Sequence, residues 1–119
     1  MTREKMKQRT KGFANRIVKR CSALPDNWVA RTLGKQPLRS GTSVGANYRA
    51  VCRGKSNADF INKLRIVEEE CDESLFWMEL LVENNLIQET KLHDLMNEAN
   101  EILAIVVASA KTARTSGRA

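Results

Sequence analysis

The chain has 119 residues, with twenty Lys and Arg against fourteen Asp and Glu, a net charge of +6 when its one histidine is neutral. That length suits a single domain, and 42% apolar with 29% charged residues matches neither a disordered nor a membrane-embedded chain. Two prolines, six glycines and 5% aromatics count against a strand-rich sandwich or barrel.

Four helical segments follow in chain order. The first, about Arg3 to Leu24, places Phe13, Ile17, Cys21 and Leu24 on one face, with Val18 widening the stripe. Residues 1–10 are polar and are expected to form a frayed basic arm. Pro25-Asp26 ends this segment and offers a cap for the next. The second, about Asn27 to Arg53, carries Val29, Leu33, Val44, Tyr48 and Val51, but Gly34 and Pro37 interrupt it. An internal proline costs a helix about 3 kcal/mol, so a kink or short break is expected there. Small residues Gly41, Ser43, Gly45 and Ala46 permit close helix approach, and Gly54 marks a stop.

The third segment opens with Ser56-Asn-Ala-Asp59, a capping-box arrangement with Asp59 in place of Glu or Gln. Phe60, Leu64, Val67, Cys71, Leu75, Met78 and Val82 then recur at helical spacing until Asn84-Asn85. The fourth, about Glu89 to Ala113, buries Leu92, Leu95, Met96, Ala99, Leu103, Val106 and Ala110. Residues 115–119 read as a disordered tail. The expected fold is all-α, an up-down-up-down antiparallel four-helix bundle occupying residues 1–119 as one domain.

Charge is divided unevenly along this order. Residues 1–55 carry fourteen basic and two acidic side chains, a net of +12, and residues 56–110 carry three and twelve, a net of −9. A basic half points to a polyanionic partner such as nucleic acid, and Lys7, Arg9, Lys11, Arg16, Lys19, Arg20, Arg31, Lys35, Arg39, Arg49 and Arg53 are the candidate phosphate contacts. The competing reading has the two halves neutralising each other inside one fold. Aromatic interleaving is sparse in the basic half, with Phe13, Trp28 and Tyr48 alone.

The third segment has a second apolar face. On a helical wheel Ile66, Phe76, Trp77 and Leu80 lie behind its core stripe, with Glu69 and Glu73 among them. Four large apolar groups behind the core call for another cover, and self-association through Ile66, Glu69, Glu73, Phe76, Trp77 and Leu80 is expected. A carboxylate in such a face needs a cation, which the basic second segment can supply from within the chain or from a neighbouring subunit.

Catalytic and cofactor signatures are missing. Cys21, Cys52 and Cys71 share no metal-ligand spacing, and one histidine cannot build the paired Glu-x-x-His sites of a carboxylate bundle. A metal enzyme on Glu69, Glu70 and Glu73 is therefore not expected. Neither a GxGxxG nor a GxxxxGK[ST] loop is present, and no cofactor is expected. A charged start with no apolar run and no membrane-length segment reads as cytoplasmic.

The stretch QPLRSGTSVGANYRA, residues 36–50, resembles the QLxRSxxSIxxNxxE signature of a bacterial four-helix-bundle family. Ser56-Asn-Ala-Asp-Phe60 is similar to that family's S-x-x-[DE]-F start of helix three, and Glu70 to Leu81 continues the likeness. The family contains proteins encoded by intervening sequences in bacterial large-subunit ribosomal RNA genes. It is related to the accessory variability determinants of diversity-generating retroelements. The resemblance implies a ring-like homopentamer without established activity for most members. For the accessory members it implies RNA or DNA and a reverse transcriptase as partners. It carries over to Arg39, Ser40, Ser43, Asn47, Ser56, Phe60 and Glu73, as fold determinants. Pro37 and Ala50 depart from it, standing where Leu and Glu are usual. The expected function is a non-enzymatic, homo-oligomeric nucleic-acid-binding accessory factor; the alternative is an assembly module with protein partners only.

Overall fold

The computed structural model describes residues 1–116. Four helices follow one another: α1 (Arg3–Ser22), α2 (Trp28–Val51), α3 (Asn57–Glu83) and α4 (Glu89–Ser116). Each packs against its sequence neighbours, and α1 returns to meet α4, giving an antiparallel bundle with extents of 53 × 21 × 20 Å. No helix among the described residues is long and apolar enough to cross a membrane.

Local chemistry sets the helix ends. The Thr2 hydroxyl accepts from the Lys5 N–H at 3.1 Å, Glu4 occupies the first turn of α1, and Lys19 and Arg20 occupy the last, each complementing the helix dipole. Residues 3–10, expected as a frayed arm, are helical. Met6 is 2% exposed, and Thr10 is buried with its hydroxyl donating to the Met6 carbonyl at 2.8 Å. The buried run of α1 therefore starts at Met6, a full two turns before Phe13. Asn27, rather than Asp26, caps α2, its side-chain oxygen accepting from Ala30 N–H at 2.9 Å.

The expected break in α2 does not occur, since the helix runs through Pro37 without interruption. Pro37 is buried beside Ile17, Cys21, Leu24, Met78 and Leu92, and packing of its ring offsets the lost backbone hydrogen bond. Small residues on α2 bring α1 close. A Cβ at Gly41 would lie 2.7 Å from the Ile17 side chain, and one at Gly45 would lie 3.2 Å from the Thr10 carbonyl oxygen.

At the start of α3, Ser56 Oγ accepts from Asp59 N–H at 3.1 Å, while the Asp59 carboxylate accepts from the Lys55 N–H instead of that of Ser56. The capping box thus closes one residue further back than the usual pattern. Lys63 Nζ also donates to Asp59 at 2.7 Å and, with Lys55, holds this carboxyl below its ordinary value. At the other end Asn85 adopts φ 58°, with Asn85 N–H donating to Val82 O and Leu86 N–H to Leu81 O. This is a Schellman termination, placed where the Asn84-Asn85 pair foretells a stop. Thr115 and Ser116, expected in a disordered tail, belong to α4, and residues 117–119 of that expected tail lie outside the described residues.

Inside the bundle, Phe13, Ile17, Val44, Val51, Leu64, Val67, Leu92 and Ile102 are fully buried. The Cys71 thiol donates to the Ala99 carbonyl at 3.1 Å, and burial pushes its pKa up to about 12. Cys21 is raised to about 11 by the same cause, so both sulfurs stay protonated near neutrality.

Candidate nucleic-acid interface

The basic candidates divide by whether α3 or α4 supplies a carboxylate. Arg9 on α1 reaches α4: its Nε and Nη2 donate to the two Glu98 oxygens at 2.7 Å each, and Glu101 lies 3.3 Å away. Arg39 on α2 reaches α3, donating to Glu70 at 3.3 Å and to Glu73. Lys7 pairs with Glu4 and Arg31 with Asp26, both at exposed sites. Lys11, Arg16, Lys19, Arg20, Lys35, Arg49 and Arg53 are exposed and have no carboxylate within 4.0 Å among the described residues. Mutual neutralisation of the halves therefore occupies two arginines. No other Lys or Arg of residues 1–55 reaches a carboxylate of the acidic half within 4.0 Å among the described residues.

Helix geometry aligns two of these unpaired cations, Lys35 and Arg49, with Arg31. At about 100° per residue, Arg31, Lys35 and Arg49 fall in a sector about 40° wide on the side of α2 opposite its buried residues. From Arg31 to Arg49 that line covers about 27 Å of helix axis. Trp28, at the first position of α2, lies on the same outward side and is 71% exposed. Phe13 and Tyr48, the other aromatics of the basic half, are 1% and 6% exposed and belong to the core. What separates the three is helix phase, since Tyr48 falls on the buried side of α2 and Trp28 on the side away from it.

The reverse stripe of α3 also divides. Ile66, Glu69 and Phe76 are exposed, whereas Glu73, Trp77 and Leu80 are half-buried. Phe76 and Trp77 meet edge to face with ring centroids 4.9 Å apart. Trp77 Nε1 donates to Glu73 Oε1 at 3.3 Å, and the same oxygen takes the Arg39 guanidinium. Arg39 first, then Trp77, hold the Glu73 carboxyl below its usual range. The cation for Glu73 thus comes from α2 of the same chain, and Glu69 has none within 4.0 Å among the described residues.

The two stretches that carried the sequence resemblance meet in space. Beneath Arg39, the buried hydroxyls of Ser40 and Ser74 are 2.9 Å apart, with Ser40 donating to Gln36 O and Ser74 also 2.9 Å from Glu70 O. Asn47 donates to Ser43 O within α2, Ser56 caps α3, and Phe60 lies under the Arg3 guanidinium at 4.7 Å. Arg3, absent from the sequence candidates, also lines an open groove of about 790 Å³ where α1 begins and α4 ends, with Met6, Tyr48, Phe60 and Ile105. Among the described residues, no three His, Cys, Asp or Glu side chains are placed to hold a metal ion. His93 is exposed, its Nε2 3.2 Å from the Asn97 amide.

Comparison with solved structures finds a crystal structure of a protein of unknown function from the S23 ribosomal protein family of Bacteroides thetaiotaomicron VPI-5482. It is 36% identical, with a TM-score of 0.86 over 93% of this chain and 99% of that one. Among curated proteins, none matches. The family model for the 23S rRNA-intervening sequence protein matches residues 3–108, which covers most of all four helices and both motif segments. By that match, the chain belongs to the 23S rRNA-intervening sequence protein family.

Proposed function

We propose that this chain is a non-enzymatic nucleic-acid-binding bundle that holds RNA or DNA by its phosphates and acts as a homo-oligomer. One observation carries the reading: the line of cations on the outer side of α2, in which Lys35 and Arg49 have no carboxylate within 4.0 Å among the described residues. Cations at fixed positions on a rigid helix supply phosphate contacts without reading base sequence. Repetition of the line in an oligomer multiplies the effective affinity of each modest patch.

Gel-shift or filter-binding titrations test the reading at about 50 mM salt, the low end of the range in which phosphate contacts dominate. The wild-type chain binds, and the double reversal Lys35→Glu with Arg49→Glu weakens binding at least about tenfold while leaving the helical circular dichroism intact. Equal affinities for wild type and variant contradict the reading.

A second reading, assembly through protein contacts alone, is favoured by Phe76, which is 52% exposed, and by Ile66 beside Glu69 on the outer face of α3. Oligomerisation is common to both readings, a pentamer being the state the family resemblance implies, and Phe76→Asp tests it by native mass. The variant is expected to dissociate, and an unchanged mass removes this face from the interface. The two readings part on nucleic acid, which the second does not bind.

A further inference from the structure

An indole at 71% exposure is unusual, because tryptophan is highly buried on average and contributes most when it leaves water. Trp28 nevertheless has a fixed backbone, because the Asn27 cap starts α2 at this residue. Its surroundings are electropositive. The first turn of α2 lies at the positive end of the helix dipole, Asn27 caps its Ala30 N–H, and no acidic residue occupies that turn. Asp26, two residues earlier, pairs with Arg31. Lys35, two turns along the same side, has no carboxylate partner among the described residues.

A flat π-surface beside Lys35, which no carboxylate neutralises among the described residues, and Arg31, which shares its charge with the exposed Asp26, fits a ligand that offers both an aromatic face and negative charge. Nucleobases and their phosphates have that chemistry. A duplex hides its base faces in the stack, whereas an unpaired strand presents them. No other aromatic of the basic half is available, since Phe13 and Tyr48 are core residues and Phe76 and Trp77 lie on α3 among carboxylates. We propose that the ligand is single-stranded nucleic acid, with Trp28 stacking on one base while Arg31 and Lys35 hold flanking phosphates. This deepens the nucleic-acid reading above and rests on it.

The test compares an oligouridylate with an RNA duplex of equal length, on full-length wild type, Trp28→Ala and Trp28→Phe. Single strand quenches the tryptophan fluorescence of wild type, and the quenching disappears in Trp28→Ala, in which Trp77 still emits. Trp28→Ala loses about 5- to 150-fold in affinity for the single strand, the range expected for one base–aromatic stack. Its duplex affinity stays within about twofold, because phosphate contacts do not need the ring. Trp28→Phe recovers most of the loss.

Equal losses on both ligands, or no loss on either, overturn the stacking role and leave the phosphate-binding reading standing. Failure of wild type to bind either ligand overturns both, and shows in wild type alone. A changed native mass for Trp28→Ala makes the indole a subunit contact and also overturns the inference.

Discussion

The α2–α3 and α1–α4 seams are both clamped by an arginine from the basic half, yet they are built differently. At α2–α3, Arg39 lies over close packing: Ser40 and Ser74 touch with no exposure, and the cation itself is half in water. At α1–α4 the helices approach each other least, one end opens into the groove under Arg3, and the Arg9–Glu98 pair is the more enclosed of the two clamps. One seam is held by shape with charge as an addition, and the other leans on charge where shape is sparse. The division of +12 against −9 along the chain is used for cohesion at these two places. The remaining basic surface is the one proposed above to hold a polyanion.

The largest effect should come from breaking shape at α2–α3. Ser40→Leu forces a large side chain into a fully buried site against Ser74 and should cost about 1–3 kcal/mol, read by urea unfolding. Next, Arg9→Ala leaves the Glu98 carboxylate partly enclosed without its two hydrogen bonds, and should cost about 1 kcal/mol. Arg39→Ala should cost less than Arg9→Ala in the same assay, since its partners regain water easily. The reverse order would invert the contrast between the seams.

The smallest effect concerns acid. The Glu73 carboxyl is depressed in the folded chain, so its contribution is present above the ordinary carboxylate range and lost as pH falls through the depressed value. Asp59 behaves in the same direction through Lys63. Glu73→Gln should therefore flatten the acid limb of the urea midpoint against pH, without changing the plateau above neutrality by more than Arg39→Ala does. An acid limb as steep as that of wild type would show that Arg39 does not set this carboxyl.

The bundle was legible because its signals are periodic. Stripes on α3 and α4 recur over seven or more positions, and Ser56 and Asn85 mark helix ends through side-chain and backbone chemistry that local sequence expresses. The start of α1 was not legible, because a lone Met6 and a threonine do not read as a core stripe. Thr10 becomes buried only because its hydroxyl is satisfied by its own helix. Pro37 misled for the complementary reason, as local propensity yielded to packing that involves three other helices.

At the candidate interface, the residue types were legible but their partners were not. That the second helix supplies a cation to Glu73 was one of two options in the sequence, and pairing through Arg39 within the chain emerges only when α2 lies beside α3. The same holds for Trp28, whose residue type resembles that of any core indole and whose exposure emerges only once α2 is packed on its neighbours.

Whether the outer side of α2 holds a polyanion is read from the slope of log affinity against log salt for wild type and the Lys35→Glu, Arg49→Glu double variant. Wild-type affinity should fall steeply with salt, and the variant's slope should be shallower by about two phosphate contacts. Identical slopes in the two proteins, or no binding by wild type at about 50 mM salt, would contradict polyanion binding by this side of α2.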